Sequence, residues 1–153
     1  MKHDYEAVWR ESGPTLWRAV RAYSGGRTDV ADVAVSEAFA RAMTRDDDIR
    51  DPLAYLYRIA FRVASAELRE IVRHDELTER HAQRIAGPER NGDVWSALTA
   101  LPPDQRAVLY LFYRADLPVR EISRRLGRSS AAVRMHLVRG RRRLADLIEE
   151  DER

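Results

Sequence analysis

Apolar residues recur along this chain at steps of three and four, the spacing of one helix face, and nowhere alternate with polar ones as a half-buried strand requires. The period predicts a first helix over Tyr5 to Tyr23, with Trp9, Leu16 and Val20 on one side and a kink at Gly13-Pro14, where proline removes a hydrogen bond of the turn. The small residues "SGG" at 24 to 26 end it. A second helix starts with Thr28 or Asp29 as N-cap and runs to Met43, burying Val30, Val33 or Ala34, Ala38 and Ala42. The polar loop "TRDDDIR" follows. Asp51-Pro52 opens a third helix, because the carboxylate can accept from free backbone N–H groups while the fixed φ of proline suits the first helical position. Its stripe of Leu53, Leu56, Ala60, Val63, Ala64, Leu68 and Ile71 carries it to about Val72.

Residues 74–92, "HDELTERHAQRIAGPERNG", hold few apolar side chains and end on Gly, Pro and Asn, the composition of a tether that is helical in part. Four shorter helices come after it: about Val94 to Leu101, Asp104 to Tyr113, Val119 to Leu126, and Ser130 to about Ile148. Pro102-Pro103 separates the first two, with Asp104 placed to cap. Gly127 ends the third where left-handed backbone is needed, and Ser129 caps the fourth, whose inward stripe is Val133, Leu137, Gly140, Leu144 and Ile148. The acidic tail "DLIEEDER" is expected to fray. The expected architecture is all-α: two small helical domains, residues 1–73 and 93–153, joined by a flexible linker at 74–92.

Length and composition agree, since 153 residues with 44% hydrophobic and 34% charged side chains suffice for one compact domain or two small ones. No apolar run approaches the roughly 20 residues that span a bilayer, and "MKHDYEAVWRESG" lacks the apolar core of a signal peptide, so a soluble, cytoplasmic protein is expected. The absence of cysteine excludes disulfides, thiolate metal sites and a thiolate nucleophile.

Charge adds what hydropathy does not contain. The chain carries a formal net charge of only +2, yet residues 119–143 hold nine arginines against one acid, Glu121, a local charge of +8. That surplus falls on two helices joined by a short Gly-containing turn, the second basic on its outer face, which is a helix-turn-helix pattern directed at a polyanion. With Val133 turned inward, 100° per residue sends Ala131, Arg134, Met135 and Val138 outward and leaves Ser130 and Arg139 on the flanks. Arg134 is the candidate for a base edge, since its fork matches guanine O6 and N7. Arg128, Arg139, Arg141, Arg142 and Arg143, with the backbone N–H groups at the helix start, suit phosphates. The competing reading of such a run is a solvated charged face.

The segment "SALTALPPDQRAVLYLFYRADLPVREISRRLGRSSAAVRMHLVRGRRRLADLI" resembles region 4 of the extracytoplasmic-function (ECF) sigma factors, with their "ALPxxQRxVxxLxY" stretch before a basic helix-turn-helix. "DVADVAVSEAFARAM" and "RDPLAYLYRIAFRVASAELRE" resemble region 2. Val33, Ser36, Arg62 and Ala66 are the positions where this chain departs from the usual region 2 pattern. The resemblance implies a subunit that binds bacterial RNA polymerase core and promoter DNA, and an anti-sigma factor as a further partner. Asp32, Ser36, Glu37, Phe39, Ala40 and Arg41 would meet the core. Arg45, with the loop it belongs to, and Tyr55, Tyr57, Arg58, Phe61 and Arg62 would face the opened minus-ten strand, where rings and guanidinium planes can stack on bases. Arg128 to Arg139, including Ser129 and Ser130, would read the minus-thirty-five element.

Several other readings stand beside these. The aromatics of the third helix can be core residues, with Tyr55 and Arg58 the more exposed pair. Asp46, Asp47 and Asp48 lack the glycine and later glutamate of a calcium loop, and His74 and His81 lack a matched third ligand, so neither a metal nor a cofactor is expected. His136 can touch DNA or pack on the turn. There is no P-loop, dinucleotide glycine pattern, HExxH or GxSxG, so no enzyme is expected. The alternatives to a sigma factor are a stand-alone helix-turn-helix regulator and a sigma-like protein acting mainly through protein–protein contacts.

Overall fold

A computed structural model describes residues 2–78 and 97–152, and all regular structure among them is helical. Helix α1 spans Tyr5–Tyr23, α2 Thr28–Thr44 and α3 Pro52–Thr78, with a 3₁₀ turn at Asp46–Asp48 between α2 and α3. After a helical turn at 97–99 come α4 (Pro103–Leu109), α5 (Val119–Leu126) and α6 (Ser130–Glu152). Of the expected tether at 74–92, residues 79–92 lie outside the described residues, as does the expected helix start at Val94.

Small side chains determine how α1 to α3 assemble. Ala31, Ala34, Ala38 and Ala42 are fully buried along α2 and let α3 come close with its own Ala60 and Ala64. Leu16 and Val20 of α1 and Leu56 of α3 close the core, each worth about 1.5–3 kcal/mol when taken out of water. Of the two candidates on α2, Ala34 faces inward and Val33 is 49% exposed. Trp9 also departs from expectation. Its indole meets Phe39 edge-on at 5.5 Å and lies over Gly13, at the rim of the domain, and stays 44% exposed. Asp51 caps α3 as anticipated, its Oδ1 accepting from Ala54 N–H at 3.2 Å. Helix α3 then continues to Thr78, past the position where the linker is expected to begin.

In the second unit Leu101, Val108, Leu111, Ile122, Val133 and Leu137 form the core. Pro102 and Pro103 take the N-cap and first helical positions of α4, which leaves Asp104 in the first turn rather than at the cap. From Tyr110 to Arg114 the helix widens to a π-turn, closed by Ala115 N–H donating to Tyr110 O at 3.1 Å. Gly127 adopts φ 65°, and Ser129 Oγ accepts from Ala132 N–H at 3.1 Å, so the turn between α5 and α6 has the chemistry its residues require. Helix α6 extends to Glu152, four residues past the expected end near Ile148.

Candidate nucleic-acid interface

Val133 and Leu137 root α6 in the core, so the opposite face is free. Ala131, Arg134, Met135, Val138 and Arg139 are all exposed on it, Ser129 and Arg128 stand exposed at its start, and Ser130 is half-buried. Arg141, Arg142 and Arg143 continue the basic surface one turn further along. Arg141 donates to the Tyr113 hydroxyl at 2.8 Å, which orients its guanidinium beside the π-turn. Arg128 reaches Asp104 at 3.5 Å. His136 is half-buried, and its Nδ1 is buried with no hydrogen-bond partner. The face can therefore present one forked donor, Arg134, between a methyl-bearing alanine and two apolar side chains, flanked by cations.

On α2, Asp32, Ser36 and Ala40 follow one another at four-residue steps as an exposed row, and Arg41 lies beside it, paired with Glu37 at 2.8 Å. Asp32 accepts from Trp17 Nε1–H at 2.8 Å, which ties this row to α1. Phe39 is half-buried under Tyr5 and Trp9.

The aromatics of α3 are arranged differently from a simple exposed strip. Arg58 is exposed, with its guanidinium 5.3 Å above the half-buried Tyr55 ring, and Arg45 and Arg62 are exposed as well. Tyr57 has no exposed surface. Phe61 is half-buried, edge-on to Tyr23 at 5.0 Å and stacked on Tyr57 at 6.2 Å. The cover over Tyr57 comes from α5: Arg125 lies 5.4 Å above the ring and donates to the hydroxyl at 3.2 Å. Burial pushes the phenol pKa up, against the opposing pull of Arg125. Glu121 in turn holds Arg125 at 2.9 Å, and burial notwithstanding, these two partners keep the guanidinium pKa above its ordinary value.

Two polar clusters were missed by sequence reasoning. In the first, Asp46 is 4% exposed and faces the N-terminus instead of the strand-side surface. Lys2 and His3 N–H groups donate to its Oδ2 at 2.5 and 3.0 Å, the Tyr5 hydroxyl donates to Oδ1 at 3.0 Å, and His3 Nδ1 lies 2.6 Å from the same oxygen. Burial opposes the charged carboxylate, but these bonds outweigh it and hold its pKa well below the usual range. The Tyr5 hydroxyl, desolvated and bonded to Asp46, is pushed up to about 12. Only Asp47 and Asp48 of the triple acid are exposed.

The second cluster is Arg106. Its Nε donates to Ala22 O and Tyr23 O at 3.0 and 3.2 Å, its Nη2 to Tyr23 O at 2.6 Å, and its Nη1 to Thr99 O and Leu101 O at 3.1 and 2.6 Å. Burial lowers the pKa of this guanidinium to about 10, with the Tyr23 hydroxyl opposing the shift, so it remains a cation at neutral pH. An arginine immediately before the buried run Ala107, Val108, Leu109 is the sequence signal that could have exposed it.

Residues 92–144 match the family model described as sigma-70, region 4. No curated protein matches the chain in sequence. Among solved structures, the sigma factor RpoE from Bartonella quintana, crystallised in complex with the anti-sigma factor NepR, is similar at a TM-score of 0.71 and 20% identity, over 95% of this chain and 97% of that one. Residues 92–144 are thus similar to sigma-70 region 4, and over nearly its whole length the chain shares the all-helical fold of that solved structure.

Proposed function

We propose that this protein is an ECF-type sigma factor that binds RNA polymerase core and directs promoter-specific initiation. The observation that carries this reading is the region 4 match together with the exposed, arginine-bearing face of α6. Arg134 reads a base of the minus-thirty-five element, with Ala131, Met135 and Val138 in apolar contact beside it. Arg128, Ser129, Ser130, Arg139, Arg141 and Arg142 hold the backbone. The exposed row on α2, with Glu37, Phe39 and Arg41, is the core-binding surface, and Arg45, Tyr55, Tyr57, Arg58, Phe61 and Arg62 serve the minus-ten strand. Two domains, 1–73 and 93–153, divide these tasks. Such a factor has no chemistry of its own and works in the cytoplasm, where polymerase and chromosome are. No helix among the described residues is long and apolar enough to cross a membrane. RpoE of Bartonella quintana was crystallised with an anti-sigma factor, and a partner of that class is proposed here on that likeness.

The test is run-off transcription with purified core polymerase on a genomic fragment library, with and without the protein. Discrete transcripts that depend on the added protein are the expected result. A second reading, a stand-alone regulator, draws on Val33, an exposed apolar side chain beside the row on α2 where the resembled pattern has an acid. Specific duplex binding without any transcript from active core would select it.

A further inference from the structure

Tyr113 sits in the π-turn that follows α4, 50% exposed, while Leu111 is fully buried and Phe112 meets the Tyr113 ring edge-on at 5.0 Å. A π-turn takes one residue more than an α-turn and so re-aims the side chains it carries, which is why such turns recur at functional sites. Here the turn brings the phenol to α6: the Tyr113 hydroxyl accepts from Arg141 Nη1 at 2.8 Å, across 28 positions of the chain.

The direction of that bond is fixed by chemistry. A guanidinium has N–H donors and no acceptor, so the phenol oxygen accepts and its own proton stays available to donate. Among the described residues nothing accepts that proton, and no carboxylate pairs with Arg141. By contrast, Arg124 and Arg125 share Glu121, and Arg128 reaches Asp104. An unused O–H and the unused N–H groups of a cation therefore lie one hydrogen bond apart on the surface, where two oxygens of a single anion can take both. Arg141 follows Arg134 by seven residues, about two helical turns, so both side chains leave the same face of α6, roughly 10 Å apart along its axis. When the start of such a helix lies in the major groove, residues toward its far end meet the flanking backbone.

We propose that the Tyr113 hydroxyl and the Arg141 guanidinium together hold one backbone phosphate of the duplex, the phenol fixing the guanidinium in place and donating its own proton to the same phosphate. This rests on the reading of α6 as the duplex-reading helix and adds Tyr113 to its contacts. Holding the guanidinium beforehand reduces the rotamer entropy lost on binding. A phenol is neutral and displaces no counterion, so Tyr113 adds affinity without adding salt dependence, whereas Arg141 adds both. The contact touches no base edge and strengthens every duplex alike.

Tyr113→Phe keeps the ring against Phe112 and removes only the hydroxyl. The full-length parent, Tyr113→Phe, Arg141→Ala and the double variant are titrated by fluorescence anisotropy against duplexes carrying the site recovered by binding-site selection. Each duplex has one uncharged methylphosphonate at a different backbone position. Tyr113→Phe is expected to weaken binding to the unmodified duplex about threefold to tenfold and to leave the salt slope at the parent value. Arg141→Ala is expected to lower that slope by about one. The methylphosphonate position that weakens the parent most at this site should become silent in both variants. The double variant should bind within about twofold of Arg141→Ala, because the two residues act as a unit. Thermal melting checks that the variants fold. Parent-like affinity in Tyr113→Phe would overturn the shared site. So would a loss spread evenly over all backbone positions, which is how a loosened domain would behave, and so would a sensitive phosphate different from the one Arg141 serves. A parent chain that binds no duplex would overturn the DNA reading together with this site, whereas tight duplex binding with a silent Tyr113→Phe would overturn the site alone.

Discussion

At Asp46 the N-terminal residues converge on one carboxylate, and its role follows from the direction of its pKa shift. A folded-state value held below the ordinary one, about 3.9 for a free aspartate, means that the charged form stabilises the fold above that pH. The contribution is lost as pH falls through the folded value. Asp46→Asn should therefore lower the thermal midpoint at pH 7, and the gap to the parent should close as the buffer is taken below about pH 4. Equal midpoints at pH 7 would remove the clamp from the stability of the first domain. Arg134 and Arg141 differ in another way. Arg134→Ala should cost about 1–3 kcal/mol at one base step and relax the preference there, whereas Arg141→Ala should weaken all duplex sites alike and reduce the salt slope by about one. Binding-site selection with each variant at two salt concentrations measures both. Arg134 could be singled out from helical spacing alone, since one buried reference residue fixes the direction of its neighbours. Asp46 could not, because its partners, Lys2, His3 and Tyr5, lie more than forty positions away in the chain.

Ser129 is the only described residue whose side chain caps α6, so Ser129→Ala should cost about 1 kcal/mol in denaturant unfolding. Gly140 lies where α6 crosses α4: a Cβ would come within 3.0 Å of Leu109 Cδ1 and 3.5 Å of Gln105 Cβ. Gly140→Leu should destabilise the second domain by about 1–3 kcal/mol through overpacking, read as a lower midpoint in the same titration. Period and cap chemistry located α1, the starts of α3 and α6 and the turn at Gly127, because each depends on residues within one turn of one another. They did less well for the end of α3 and for the π-turn at Tyr110–Arg114. Helix α3 outlasts its continuous apolar stripe, and the wider turn is a choice among backbone bonds that the same side chains leave open.

Across the molecule, contacts between domains differ in strength. Arg124 and Asp51 are 45% and 37% exposed, so Arg124→Ala alone should change stability by no more than about 1 kcal/mol. Arg106 is largely enclosed and serves carbonyls from two segments at once, so its removal takes a charged donor from Tyr23 O and Leu101 O. Comparative unfolding of Arg124→Ala and Arg106→Ala should show a small shift in the first and a large one in the second. Similar shifts in both would mean that water takes over the carbonyls Arg106 now serves.

The all-helical class, the order of the helices and the outward face of α6 were legible without coordinates, because hydrophobic period, capping residues and charge placement are local properties of the chain. Which partner each side chain meets across the molecule was not. Arg106 against the end of α1, Arg125 over Tyr57 and Asp46 under the N-terminus join residues 41 to 84 positions apart. No periodicity encodes such pairs. They arise when distant segments close on each other, within the first domain for Asp46 and between domains for the two arginines, and buried polar groups must find donors and acceptors wherever the fold brings them.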